Sequence, residues 1–209
     1  MARGGRRRGG AGDGFEAPVP GSVAASGPDA DPEAVARTIA LRQLALAPRT
    51  RAQLAEAMAR RGVPDDVAER VLDRFTDVQL VDDEEFARQW VATRHAGRGL
   101  ARRALSHELR LRGVDDDTLQ EAVGAIGDDD ELEAARGLVR RRWPAVRTDE
   151  PARRTRRLAA MLARKGYGAG IAFRAIREVA GEFGPVDEIP IDEIPVDELT
   201  MDEVRGDDD

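Results

Sequence analysis

The 209-residue chain contains no cysteine. That absence excludes disulfides, thiolate metal sites and cysteine nucleophiles in one step. Two histidines, His95 and His107, are too few for most imidazole-ligated metal centres. Aromatic residues reach only 4%, so any core must be assembled mainly from Ala, Leu, Val and Ile. No apolar run approaches the roughly 18 residues of a membrane span. Arg3, Arg6, Arg7 and Arg8 stand near the start, but no apolar stretch follows them, so this segment does not read as a secretory signal. Together these absences favour a soluble, reducing, intracellular setting. Lysine is nearly missing as well, since Lys165 is the only one among 33 basic residues. That skew is compositional, and arginine abundance alone therefore carries no function.

What is present is charge, at 35% of residues against roughly 25% in ordinary globular domains. The net charge of −7 is the sum of three unlike segments. Residues 1–31 are Gly-, Pro-, Ala- and Ser-rich, electrically neutral and without apolar period, which reads as a disordered arm. Residues 32–183 carry 28 basic against 25 acidic residues, and within them 136–178 carry 13 against 3. Residues 184–209 carry 11 acids and one base, Arg205. This tail repeats Pro185-Val-Asp-Glu-Ile189, Pro190-Ile-Asp-Glu-Ile194 and Pro195-Val-Asp-Glu-Leu199, then fades. Proline every fifth residue prevents a continuous helix, so an extended acidic strip is expected. Its charge would draw it to a basic surface, with an inert appendage as the alternative.

An internal repeat decides the architecture. Leu54-x3-Met58-x2-Arg61-Gly62-Val63 recurs as Leu105-x3-Leu109-x2-Arg112-Gly113-Val114 and as Leu158-x3-Leu162-x2-Lys165-Gly166-Tyr167. An apolar anchor follows each glycine by thirteen residues: Phe75, Ile126 and Val179. An Ala-Arg pair precedes each: Ala36-Arg37, Ala87-Arg88 and Ala135-Arg136. The third copy is five residues longer, around Trp143-Pro144-Ala145-Val146-Arg147.

Each copy divides into three helices. Asp31-Pro32-Glu33 supplies a cap, a proline at the first helical position and an acid in the first turn. Thr50-x-x-Gln53 is a capping box opening the second helix, and Gly62 can take the left-handed conformation that closes it. Pro64-Asp65-Asp66 opens the third. Copy two opens at Asp82, with Gly97-Arg98-Gly99 expected to interrupt it, and copy three is expected to open at Asp128. Gly62, Gly113 and Gly166 are assigned as structural caps. Alternating β-branched segments are lacking outside the tail. The fold predicted is all-α: three tandem three-helix, helix-turn-helix-like repeats in an elongated array. The divisions are an arm (1–31), repeats over 32–80, 81–127 and 128–183, and the tail (184–209). Such an array favours a long binding face over one enclosed pocket.

A search for chemistry finds none. Gly97-Arg98-Gly99 lacks the third glycine of a dinucleotide fingerprint, because position 102 is Arg102. Ser106 and His107 are sequence neighbours that point about 100° apart on a helix, which excludes a nucleophile–base pair. His95 and His107 read as exposed helix residues. Acid clusters 82–85, 115–117 and 128–130 stand at helix starts, where they oppose the helix dipole, with a metal-dependent nuclease as the sharper alternative. Phe86 and Trp90, spaced i, i+4, read as a packed face or a partner anchor. Tyr167 reads as core with its hydroxyl at the surface. No catalysis, cofactor or metal is expected.

Charge locates the binding face. The last helices of copies one and two are acidic, so a DNA groove lined by phosphates would repel them. The second helices carry the positive charge. A helical wheel puts Arg103 and Arg110 opposite the apolar side of copy two, with Arg102 at the flank, and Arg153, Arg157 and Arg164 in an outward stripe on copy three. A plain solvated face is the alternative.

The run Leu80-Val81-Asp82-Asp83-Glu84-Glu85-Phe86-Ala87-Arg88-x-Trp90-Val91-x2-Arg94, continued by Gly97-Arg98-Gly99 and Leu105-x2-Glu108-Leu109-x3-Gly113-Val114, resembles the RecX family of bacterial recombinase regulators. The likeness covers about 33–182; relatives commonly have Gly-Lys-Gly where this chain has Arg98. It implies a cytoplasmic, non-catalytic protein that binds the RecA filament on DNA. It further implies restraint of RecA ATP hydrolysis, strand exchange and co-protease activity, which tempers recombination and the SOS response. Candidate contacts are Arg94, Arg98, Arg102, Arg103, Arg110, Arg153, Arg157 and Arg164. Single- or double-stranded DNA is a further expected partner, a membrane is not, and the chain is expected to be a monomer. The alternative function is a nucleic-acid-binding module that acts by occupying DNA.

Overall fold

The computed structural model describes residues 31–184. The arm before them and the acidic repeats after them lie outside the described residues. Among the described residues every regular element is helical. Repeat one comprises α1 (Pro32–Leu46), α2 (Arg51–Ala59) and α3 (Asp65–Asp77). Repeat two comprises α4 (Asp83–Arg98), α5 (Arg102–Leu111) and α6 (Asp116–Gly124). Repeat three comprises α7 (Asp128–Arg142), a 3-10 turn over Trp143–Ala145, α8 (Pro151–Arg164) and α9 (Ala169–Phe183).

Local chemistry sets most boundaries. Asp31 accepts the Glu33 N–H, and the Thr50 capping box closes in both directions with Gln53. Asp82 and Asp115 accept the Glu85 and Thr118 N–H groups and so begin α4 and α6. One helix boundary differs from expectation. Gly97 lies inside α4, which runs on to Arg98 and stops at Gly99, because nothing crowds Gly97 and one exposed glycine does not break a 16-residue helix. Helix α7 begins at Asp128 as expected, with Gly127 in the cap position before it.

Each repeat closes over its own core. Leu54, Met58, Val71 and Leu72 anchor the first, Leu105, Leu109 and Leu119 the second, and Leu158, Leu162, Ile176 and Val179 the third. Burying a leucine contributes roughly 1.5–3 kcal/mol, so each small core holds its three helices, and Ala101 of repeat two joins the core of the third.

The joints use one device twice. The carbonyl just before the glycine of a repeat accepts a hydrogen bond from the start of the preceding repeat's second helix: Thr50 Oγ1 to Arg112 at 2.6 Å, and Ala101 N to Lys165 at 2.9 Å. The next N–H of that helix goes to an acid on the following repeat, Arg51 N to Asp83 at 2.8 Å and Arg102 N to Glu131 at 2.9 Å. The glycines sit where a side chain would collide. A Cβ on Gly113 would stand 2.3 Å from Ala52 Cβ, and one on Gly166 would stand 2.6 Å from Ala104 N. Gly62, in the first described repeat, meets nothing within 4 Å. Tyr167 belongs to the second joint, and its expected surface hydroxyl is instead buried, donating to the Gly99 carbonyl at 3.1 Å. Burial pushes that phenol well above its ordinary value.

Candidate nucleic-acid and partner interface

The arginines sort by whether a carboxylate already neutralises them. In repeat one, Arg37, Arg51, Arg60, Arg70 and Arg74 are in ion pairs, while Arg61 is exposed and forms none within the described residues. In repeats two and three, Arg98, Arg103, Arg147, Arg153, Arg156 and Arg164 are exposed and form no ion pair within the described residues. Exposed paired arginines are screened and weakly available, whereas unpaired ones keep their charge for an external anion. The surplus of basic over acidic residues lies in repeat three, while repeat two is net acidic; what the two share is exposed arginines without a carboxylate partner among the described residues.

Of the eight sequence candidates, Arg103, Arg153 and Arg164 keep the outward position that the helical wheels assign, and Arg98 of the Gly-Arg-Gly motif is exposed as well. Arg110 and Arg157 point outward but are paired, to Asp116 at 3.1 Å and Asp149 at 2.6 Å. Arg102 departs furthest from expectation. Its guanidinium binds Glu131 and Asp128 of α7, which locks the second joint, and Glu131 is only 4% exposed. Those hydrogen bonds, Glu131 first, raise the Arg102 guanidinium above its ordinary value.

Arg94 belongs to a cluster of which helical spacing shows Phe86, Trp90 and Arg94 on one face of α4 but not Arg112, which comes from the end of α5. The Arg94 guanidinium lies 4.1 Å from the Trp90 ring centre, and that of Arg112 lies 3.7 Å from the same centre. Phe86 stacks on Trp90 at 5.7 Å, and the indole N–H donates to Glu108 at 2.7 Å. Burial lowers the Arg112 guanidinium; Glu108 opposes the shift and Arg94 adds to it. Two cations thus share one indole, each gaining cation–π attraction on the order of 1 kcal/mol. Beside them opens a cleft of about 580 Å³ whose walls include Pro48, Phe86, Trp90, Arg94 and Arg98. An aromatic floor with a cationic rim suits a nucleotide or an acidic, apolar peptide. Phe86 and Trp90 are thereby a half-buried face at the cleft, and the i, i+4 spacing was the signal for it.

The remaining polar residues are structural. Asp115 is held low by its hydrogen bonds to Thr118, as suits a cap, while burial raises Asp83. His95 is half-buried rather than exposed, with Nδ1 donating to the Leu100 carbonyl at 2.9 Å. His107 is exposed. Among the described residues no three His, Asp or Glu side chains are grouped to hold a metal ion, and no helix is long and apolar enough to cross a membrane.

Three three-helix repeats, joined end to end through glycine turns, define an all-helical tandem-repeat protein. The family models for the first, second and third three-helix domains of RecX match residues 36–75, 82–123 and 128–176. The regulatory protein RecX of Thermobifida fusca is 55% identical over 168 residues, which cover 80% of this chain and 89% of that one. The protein of the same name from Streptomyces coelicolor is 50% identical over 157 residues, covering 75% and 84%. The crystal structure of RecX from Lactobacillus salivarius superposes with a TM-score of 0.66 at 20% identity, over 72% of this chain and 98% of that one. The chain belongs to the RecX family.

Proposed function

We propose that this protein is a regulator that binds the RecA–DNA filament and restrains RecA ATP hydrolysis, strand exchange and co-protease activity. The relatives' shared name, regulatory protein RecX, supports regulation as the role. The observation that carries the reading is the run of unneutralised arginines from Arg98 on α4 to Arg164 on α8, spread over two repeats rather than gathered in a pocket. A filament presents repeated acidic and phosphate surface along its length, and a tandem array matches such a target better than it matches a small substrate. The protein acts without chemistry or cofactor of its own, in the cytoplasm.

It acts as a monomer. The turn at the open end of repeat one carries Arg60 and Arg61, and the start of α8 carries Arg153, Arg154 and Arg156. End-to-end joining of two copies would bring these like charges together.

The cleft at Trp90 favours a second reading, a module that acts by occupying single-stranded DNA. One titration separates the two: RecA ATPase on single-stranded DNA with increasing amounts of this protein. Filament binding predicts inhibition at ratios far below coverage of the DNA. Inhibition only near saturation of the DNA would favour occupancy, and unchanged hydrolysis throughout would overturn both.

A further inference from the structure

The third repeat ends the array differently from the first two. Registered on the buried Leu54, Leu105 and Leu158, helices α2 and α5 begin three residues before the leucine, at Arg51 and Arg102, whereas α8 begins seven before it, at Pro151. The additional turn occupies the place where the first two joints receive the following repeat. The small contact residues change too. Arg156 stands at the position of Ala52, and Arg157 at that of Ala104.

The cations here are poorly neutralised from within. Asp149 pairs with Arg157, and both oxygens of Glu150 accept the N–H groups of Ala152 and Arg153. Arg153 and Arg156 are exposed and unpaired, and the Arg154 guanidinium lies 5.0 Å over the Trp143 ring. The other neighbour of Trp143 is Phe183, stacked at 5.1 Å and 57% exposed. Phe183 is the last residue of α9. The chain therefore leaves the fold one indole ring away from the arginine cluster, beside an exposed apolar ring. The sequence that follows holds 11 acids against Arg205: four Asp-Glu pairs, each with an apolar residue on both sides, and then Asp207, Asp208 and Asp209.

We propose that the acidic repeats of 185–199 dock on the start of α8, with Asp-Glu pairs on Arg153, Arg154 and Arg156 and flanking apolar side chains on Phe183. The tail is then a tethered competitor that anionic partners must displace. Length permits it, since five extended residues span roughly 16 Å. Tethering supplies an effective concentration of about a millimolar for a short flexible linker, so weak carboxylate–guanidinium contacts suffice. The competition half of the proposal rests on the binding reading above; the docking half does not.

Because the chain lacks cysteine, Ile194→Cys in the full-length protein accepts a single nitroxide label. At a salt concentration near 0.05 M, where screening is weak, docking predicts broadening of amide NMR signals over 151–157 and at Phe183, lost again at about 0.5 M. Absence of broadening there, or equal broadening across repeat one, overturns docking. Competition is tested with an oligo-dT probe and full-length protein whose six acids at 187, 188, 192, 193, 197 and 198 are replaced by their amides. Severalfold tighter binding is expected at low salt, with the gain abolished by adding Arg153→Glu and Arg156→Glu. Broadening with unchanged oligo-dT affinity overturns the competition half alone. Failure of every variant to bind oligo-dT also overturns that half, and with it the DNA reading, while the label still decides docking.

Discussion

The Thr50 hydroxyl donates to the Arg112 carbonyl at 2.6 Å while accepting the Gln53 N–H at 3.2 Å, so one buried side chain both caps α2 and ties repeat one to repeat two. Removing it leaves an uncapped helix and an orphaned buried carbonyl. Thr50→Ala should cost about 2–3 kcal/mol, combining a cap with a buried hydrogen bond, whereas Thr50→Ser should cost much less. Urea midpoints of the two variants check this. Equal midpoints would show that the hydroxyl does neither job.

The three turn glycines provide an internal control. Gly62, Gly113 and Gly166 have φ of 73°, 73° and 87°, so alanine meets the same left-handed strain of roughly 1–2 kcal/mol at each. Only Gly113 and Gly166 face the previous repeat. Gly113→Ala and Gly166→Ala should therefore cost about 1–3 kcal/mol more than Gly62→Ala, the usual penalty of overpacking. Ala52→Gly should recover part of the loss in Gly113→Ala and none in Gly62→Ala. Identical losses at all three positions in thermal unfolding would remove the steric account of the joints.

Glu131 tests the second joint. Its carboxylate is buried and meets the Arg102 backbone N–H and guanidinium. Arg102→Met strands a buried charge, which costs roughly 3–5 kcal/mol in a dry pair. The lower end is expected, because the Arg102 side chain is 35% exposed. Adding Glu131→Gln removes the charge but keeps an acceptor for the N–H, so the double variant should be more stable than Arg102→Met alone. A double variant no better than the single would show that charge burial is not the cause.

Acid should loosen repeat three first. Hydrogen bonds from Arg140 hold Glu133 and Glu182 below the ordinary 4.5, and those from Arg174 and Arg136 hold Glu178 below it. A carboxyl depressed in the fold stabilises it above the unfolded value, and that contribution is lost as pH falls through the folded value. Asp83, at the first joint, is raised by burial and has the opposite sign, favouring the fold as pH falls toward 3.8. Amide exchange followed from neutral pH down through the carboxylate range should show protection of α7 and α9 falling before that of the first joint. Arg140→Gln should remove much of the difference. Simultaneous loss across the array would contradict the assignment.

The helices and turns were legible because their chemistry is local. Thr50 with Gln53, Asp82 with Glu85 and the left-handed glycines each act within a few residues, and the repeat displays them three times. The joints were not, since Ala52 against Gly113 and Arg102 against Glu131 depend on segments the periodicity does not relate. A helical wheel gives the direction in which Arg102 or Arg157 points but not the carboxylate waiting there. The Trp90 cluster was half legible: spacing pairs Phe86 with Trp90, while Arg112 arrives from a different helix. Tyr167 misled for the same reason, because only the second joint reveals a partner for its hydroxyl.

The division between free and paired arginines makes the sharpest functional prediction. The side chains of Arg98, Arg103 and Arg164 form no ion pair within the described residues; the Arg98 carbonyl accepts from Lys165 at 2.7 Å in the second joint, a backbone contact that side-chain reversal leaves in place. Arg60 and Arg70 are also exposed but bound to Glu56 and Asp66, four residues earlier. If an anionic filament is the target, each free arginine that meets a phosphate adds about one unit to the salt dependence of binding. Arg98→Glu, Arg103→Glu and Arg164→Glu should each raise the concentration needed for half-inhibition of RecA ATPase and flatten its dependence on salt. Arg60→Glu and Arg70→Glu change the same formal charge on repeat one and should leave inhibition nearly unchanged. Melting temperatures within a degree or two of the parent would establish that the first three variants remain folded. Equal losses for the two groups would mean that net charge, rather than the face formed by repeats two and three, governs binding.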